Sequence, residues 1–81
     1  MTENDEAVSM YANANRIYIY FDEVVTEPSR LFIYNMTGQL VSETTVTQQQ
    51  NIVEVSVPTG MYTAKLVTPS GNIGKLISIS N

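Results

Sequence analysis

Thr59-Gly60-Met61-Tyr62-Thr63-Ala64-Lys65-Leu66-Val67 decides the fold of this chain. Tyr62, Ala64 and Leu66 alternate with Met61, Thr63 and Lys65, the period of a half-buried strand. The alternation directs Tyr62, Ala64 and Leu66 inward. Gly60 is expected to turn the backbone into the strand at positive φ, where a side chain would obstruct. Pro69-Ser70-Gly71-Asn72 then reverses the chain, and Ile73 to Ile79 runs back beside the first strand.

Working outward, Asn51 to Val57 alternates again, with Val53, Val55 and Val57 on one face and Glu54 and Ser56 on the other; Pro58 stops it. Arg16 to Phe21 places Ile17, Ile19 and Phe21 inward, with Tyr18 and Tyr20 on a partly covered outer face. Arg30 to Met36 points Leu31 and Ile33 inward. Asn35-Met36-Thr37-Gly38 is its hairpin turn, with Gly38 at the positive-φ position of a type I turn plus bulge. Gln39 to Thr47 returns; Leu40 and Val46 share a parity that Val41 does not, so a bulge or a change of face lies between them. Val8 to Ala12 reads as a short first strand. Asn13-Ala14-Asn15 reads as a turn because Asn tolerates left-handed angles. Between Asp22 and Ser29, Pro28 discourages pairing, and Val24 and Val25 are expected to tuck a short edge segment against the core. Gln48 to Asn51 is a polar loop.

The sum is an all-β, Ig-like antiparallel sandwich of about seven strands in two sheets. Residue usage agrees: seven Ile, nine Val, nine Thr and five Tyr stand against four Ala and four Leu. With 81 residues there is room for one domain. It is expected over residues 8–81, behind an acidic tail or linker end at residues 1–7. Such a domain has a net stability of roughly 4–12 kcal/mol, and with no cysteine no disulfide adds to it.

A net charge of −4 and a pI near 4.4 exclude nucleic acid as the main partner. The apolar runs are far too short to span a membrane. No signal peptide precedes the domain, so Met1 reads as the start of a cytoplasmic protein or as a start codon on an excised fragment. The chain has no histidine and no cysteine, so the usual nucleophile–base pairs and most zinc sites are absent. A carboxylate pair for glycoside hydrolysis would need a deep cleft, for which so short a sandwich has little room. No enzyme activity and no cofactor are expected. Asp22, Glu23 and Glu27 share one connection, but their spacing matches no calcium loop. Tyr18 and Tyr20 share a strand face, which suits either packing or a carbohydrate platform. The sequon Asn35-Met36-Thr37 has its simpler explanation in the turn.

From Leu31 onward the chain resembles the type A C-terminal sorting domain of the type IX (Por) secretion system. Leu31-Phe32-Ile33-Tyr34-Asn35-Met36-Thr37-Gly38-Gln39-Leu40-Val41 is similar to that family's strand, turn and returning strand. Pro58 to Leu66 is similar to its glycine-x-tyrosine strand, and Ser70-Gly71-Asn72 with Lys75-Leu76-Ile77 to its last hairpin. The resemblance spans residues 30–81 and reaches back toward Ile17. Tyr11-Ala12-Asn13-Ala14-Asn15 departs from it, lacking the proline of the family's Asn-Pro box. Residues 17–41 and the glycine-tyrosine strand also resemble a group of small exported β-sandwich proteins of unknown function from gut bacteria.

The first resemblance implies a non-catalytic secretion signal that directs a cargo protein through an outer-membrane translocon to the surface of a Gram-negative bacterium. The domain is commonly removed by a sortase-like peptidase. Gly38, Gly60, Tyr62 and Lys75 fall on the family's motif positions, as does the terminal segment with Leu76, Ile77 and Ile79. Each has a plainer reading beside the functional one. The glycines serve turns, Tyr62 anchors the core, and Lys75 guards an edge strand. The alternative from another class is an exported module binding carbohydrate or protein through Tyr18 and Tyr20.

Overall fold

Alternation at period two becomes seven strands: β1 Val8–Asn13, β2 Arg16–Phe21, β3 Ser29–Tyr34, β4 Leu40–Val46, β5 Gln50–Glu54, β6 Gly60–Thr68 and β7 Gly71–Ile79. This computed structural model describes residues 8–69 and 71–81. The tail expected at residues 1–7 and Ser70 of the last turn lie outside the described residues. Every pairing is antiparallel. One sheet has the order β1-β2-β5 and the other β4-β3-β6-β7. The sheets face each other as an Ig-like sandwich. In the constant-type immunoglobulin arrangement the fourth strand joins the first sheet. Here β4 extends the second sheet beside β3.

The inner faces carry the residues that the alternation pointed inward. Ile17, Ile19, Leu31, Ile33, Val46, Val55, Leu66 and Ile79 are completely buried, and Phe21, Val53, Val57, Tyr62, Ala64 and Ile77 are buried with them. Each large aliphatic side chain taken out of water stabilises the fold by roughly 1.5–3 kcal/mol. The core is therefore the main force holding the two sheets together.

Turn chemistry fixes the hairpins. Gly38 has φ 90°, as expected, and its N–H donates to the Asn35 carbonyl at 3.0 Å. The Asn35 side-chain oxygen accepts from the backbone N–H of Thr37 and of Gln39 and from the Thr37 hydroxyl. Of the two ways to meet the change of parity, the chain takes the bulge: Ile33 pairs with Ser42 and Tyr34 with Leu40, so Val41 is the extra residue.

Four expectations are corrected. Gly60 does not adopt positive φ; it is the first residue of β6, paired with Ile79. In the β1–β2 turn Ala14, not an asparagine, takes the left-handed conformation, with φ 57°. Asn13 pairs with Arg16, so Ala14 and Asn15 form a two-residue loop. Positive φ at the first central residue is the pattern of a type II′ turn, whose twist matches a hairpin. Val24 and Val25 form no edge strand: Val24 is 77% exposed and Val25 packs against the core. Asp22, Glu23, Glu27 and Pro28 around them resist pairing, and the two neighbouring valines point different ways. Finally, β5 ends at Glu54 rather than Val57, because its partner runs out: the Val55 N–H still donates in register to the Asn15 carbonyl at 2.9 Å, and beyond Asn15 the partner chain turns away at Ala14.

Candidate functional site

The residues singled out on β6 and β7 form one continuous ladder. Gly60 faces Ile79, Tyr62 faces Ile77, Thr63 faces Leu76 and Ala64 faces Lys75. Ile77 and Ile79 point into the core, while Leu76 stands 57% exposed on the outer face. Gly60 supplies no special backbone angle; a Cβ placed there would meet a Tyr62 ring carbon at 3.8 Å, an ordinary contact. Tyr62 is buried, and its hydroxyl donates to the Pro58 carbonyl at 2.6 Å. That bond ties the strand's start to the corner that precedes it, the device known in immunoglobulin-like sandwiches as a tyrosine corner.

Lys75 belongs to the inward row Ile73, Lys75, Ile77, Ile79, at the outermost strand of its sheet. Its ammonium crosses to the other sheet and donates to the Met10 carbonyl of β1 at 2.7 Å. The side chain therefore bridges two sheet edges. A cation turned inward on an edge strand is a recognised way of blocking unwanted pairing. The groove it spans has a volume of about 500 Å³ and runs between Val8–Tyr11 and Ile73–Lys75.

Beyond β7 the backbone is fastened down. The Ser80 N–H donates to the Ala14 carbonyl at 3.0 Å, and the Asn81 N–H to the Thr59 hydroxyl at 3.0 Å. The Asn81 side-chain amide donates to the Val57 carbonyl. Residues 80 and 81 thus sit between the β1–β2 turn and the β5–β6 corner. The turn carrying Gly38 lies at the same pole, because Tyr34 at the end of β3 pairs with Thr63 near the start of β6. Val8, at the start of β1, lies at the opposite pole. There it pairs with Phe21 and shares a cavity of about 160 Å³ with Thr68 and Pro69. Gly38, Gly60, Tyr62 and the terminal residues are therefore brought to one end of the sandwich, and Lys75 stands farther along β7.

Tyr18 and Tyr20 face outward on the other sheet, as the alternation indicated. Tyr18 stacks on Tyr11, with ring centroids 5.0 Å apart and planes 10° from parallel. Tyr11, Tyr18 and Ile52 form one row across the three strands, and Ser9, Tyr20 and Gln50 the next. Tyr11 was missed from sequence. Its pairing with Tyr18 follows from counting outward from the two-residue turn. Among the described residues no group of three or more acidic side chains is placed to hold a metal ion, Asp22, Glu23 and Glu27 included. Glu23 and Glu27 instead flank the 160 Å³ cavity.

The sequence model of the family described as the secretion system C-terminal sorting domain matches residues 12–80, nearly the whole described sandwich. No curated protein matches the chain. The chain belongs to the sorting-domain family. The kinship begins in β1, earlier than the quoted motifs reached.

Proposed function

We propose that this domain is the export address of a cargo protein: outer-membrane machinery reads it, the cargo reaches the cell surface, and the domain performs no chemistry. The reading is supported by family membership and carried by one observation, the two-pole arrangement. A cargo entering at Val8 meets the sandwich at one end, while the terminal residues, Gly38, Gly60 and Tyr62 are gathered at the other. A folded cargo at the first pole leaves the second open. In this reading β7 is the strand offered to a receptor, Gly38 shapes the pole, Gly60 only opens β6 at it, and Tyr62 holds it rigid. A sortase-like peptidase would cut on the cargo side of β1.

Fusion of residues 8–81 behind a periplasmic reporter, in a strain with a working type IX system, tests this. The full domain delivers the reporter to the surface, and a version ending at Lys75 leaves it in the periplasm. A third version, with a folded tag after Asn81, separates loss of fold from loss of signal. If the untagged, folded domain fails to export while a known sorting domain works beside it, the proposal is wrong.

A second reading rests on the outward-facing row of exposed Tyr11, half-buried Tyr18 and exposed Ile52, with Tyr20 beside it. Exposed aromatic faces stack on sugar rings and pack against protein. Glycan-array binding abolished by Tyr18→Ala/Tyr20→Ala would favour that reading over sorting.

A further inference from the structure

The four edge strands of this sandwich are not equally protected. β4 carries the bulge at Val41 and an ion pair from Glu43 to Arg30. β5, at five residues, is the shortest of the seven strands. β1 has six residues, and the Met10 carbonyl is covered by the Lys75 ammonium. β7 has nine residues, pairs with β6 without a register shift, and presents Gly74 with open space where a side chain would stand. Proteins ordinarily blunt an edge of this length, because its free N–H and C=O groups recruit another strand; on β7 the inward-turned Lys75 is the guard.

Alternation along the ladder identifies those groups. The Ser80 N–H, one residue past β7, points away from β6 to the Ala14 carbonyl. Antiparallel strands turn every second residue outward, so Asn72, Gly74, Leu76 and Ser78 aim their N–H and C=O groups at the free edge. The same rule, counted from the two-residue turn at Ala14, turns Val8, Met10 and Ala12 outward on β1, as the bond from Lys75 to the Met10 carbonyl requires. Two unpaired edges thus border one groove, with a single ammonium across it.

We propose that this groove receives an extended segment of a partner protein that adds to β7 beside Asn72, Gly74 and Leu76 and presents a carboxylate to Lys75. This rests on the sorting reading for its biological setting and names the partner's chemistry. Lys75 now has a neutral carbonyl as partner. A carboxylate offers it an opposite charge as well as an acceptor, an ion pair that a neutral carbonyl cannot make, and the released Met10 carbonyl accepts a backbone N–H of the incoming chain. Lys75 is thus a latch that shuts the groove to chains without the acid. Apolar side chains of the segment would lie against Val8, Met10 and Ile73, which line the groove.

The test uses the 81-residue chain and two synthetic nine-residue probes of alternating Val and Thr, one with a central Glu and one with a central Lys. Titration followed by amide resonances and hydrogen exchange should shift and protect Asn72, Gly74 and Leu76 with the Glu probe. The Lys probe should bind at least tenfold more weakly, and Lys75→Met should erase that preference. Gly74→Pro removes an edge-facing N–H without touching the β6 ladder; it should keep the parent's melting temperature and lose binding. Shifts confined to β4 or β5, equal binding of both probes, undiminished binding to folded Gly74→Pro, or no binding of the Glu probe at millimolar concentration would each overturn the inference. Because this readout does not use export, it fails or succeeds independently of the reporter assay. Export of folded Gly74→Pro at the parent's level would overturn the inference while leaving the sorting role intact.

Discussion

The hydroxyl of Tyr62 donates to the carbonyl of Pro58, four residues earlier, at 2.6 Å, and the ring beneath it is buried among the core side chains. One residue therefore joins two tasks, filling the sandwich and fixing the corner between β5 and β6. The corner in turn holds Thr59, whose hydroxyl accepts the Asn81 N–H. Tyr62 thereby supports the pole at which the terminal residues are fastened.

Substitution can separate the two tasks. Tyr62→Phe keeps the buried ring and loses one hydrogen bond, at a cost of about 1 kcal/mol. Tyr62→Ala also empties the ring's volume and costs about 3–5 kcal/mol, much of what a domain of this size has. Urea denaturation checks both. Equal midpoints for Tyr62→Ala and the parent would contradict the inward assignment of this face.

The two glycines that the family resemblance singled out should respond with opposite sign. Gly38 sits at φ 90° with nothing within 4 Å of an added Cβ, so the cost of Gly38→Ala is conformational and about 1–2 kcal/mol. Gly60 begins a strand without positive φ and has room for a methyl group. Gly60→Ala should raise stability by up to about 0.5–1 kcal/mol, because it removes backbone freedom from the unfolded chain. Melting temperatures of the pair decide it; a loss at Gly60 as large as that at Gly38 would show that its role is not local.

Ala14 carries strain that glycine would relieve. An L-residue at φ 57° costs roughly 1–2 kcal/mol, partly offset in glycine by its unfolded-state entropy. Ala14→Gly should stabilise by about 0.5–1 kcal/mol, and Ala14→Val should destabilise by more than 1 kcal/mol. A destabilising Ala14→Gly would indicate that the turn is not held as a two-residue loop.

The inward faces were legible because alternation is a local property, and Ile17, Ile19, Leu31, Ile33, Ala64 and Leu66 each obeyed it. Gly38 was legible for the same reason, since its turn is closed by neighbours within four residues. What escaped was set by distant partners. Nothing near Val55 shows that its N–H will be taken by Asn15, and nothing near Lys75 shows that its ammonium will find Met10, sixty-five residues away. Gly60 was misread because a glycine before a strand has two uses, and only the backbone angle tells a turn from a strand start. Ala14 was misread because the choice among three turn residues depends on which pair closes the hairpin.

Removing residues from the C-terminal end should show a sharp boundary between loss of fastening and loss of fold. Deleting Ser80 and Asn81 removes three hydrogen bonds, to Ala14, Thr59 and Val57, and no buried apolar side chain. At about 0.5–1.5 kcal/mol net per bond the domain should lose roughly 1.5–4.5 kcal/mol, toward the lower end because the bonds lie at the surface, and stay folded. Deleting through Leu76 also takes Ile77 and Ile79 out of the core, at roughly 1.5–3 kcal/mol each, and exposes the edge of β6 over Gly60–Thr63. That version should be unfolded at 37 °C. Circular dichroism melts of the two truncations against the parent check this. The two-residue truncation then serves the reporter assay: it keeps β7 and its edge while freeing the pole. Export at the parent's level would place the signal in the strand itself, and loss of export from the folded truncation would place it in the fastened residues beyond.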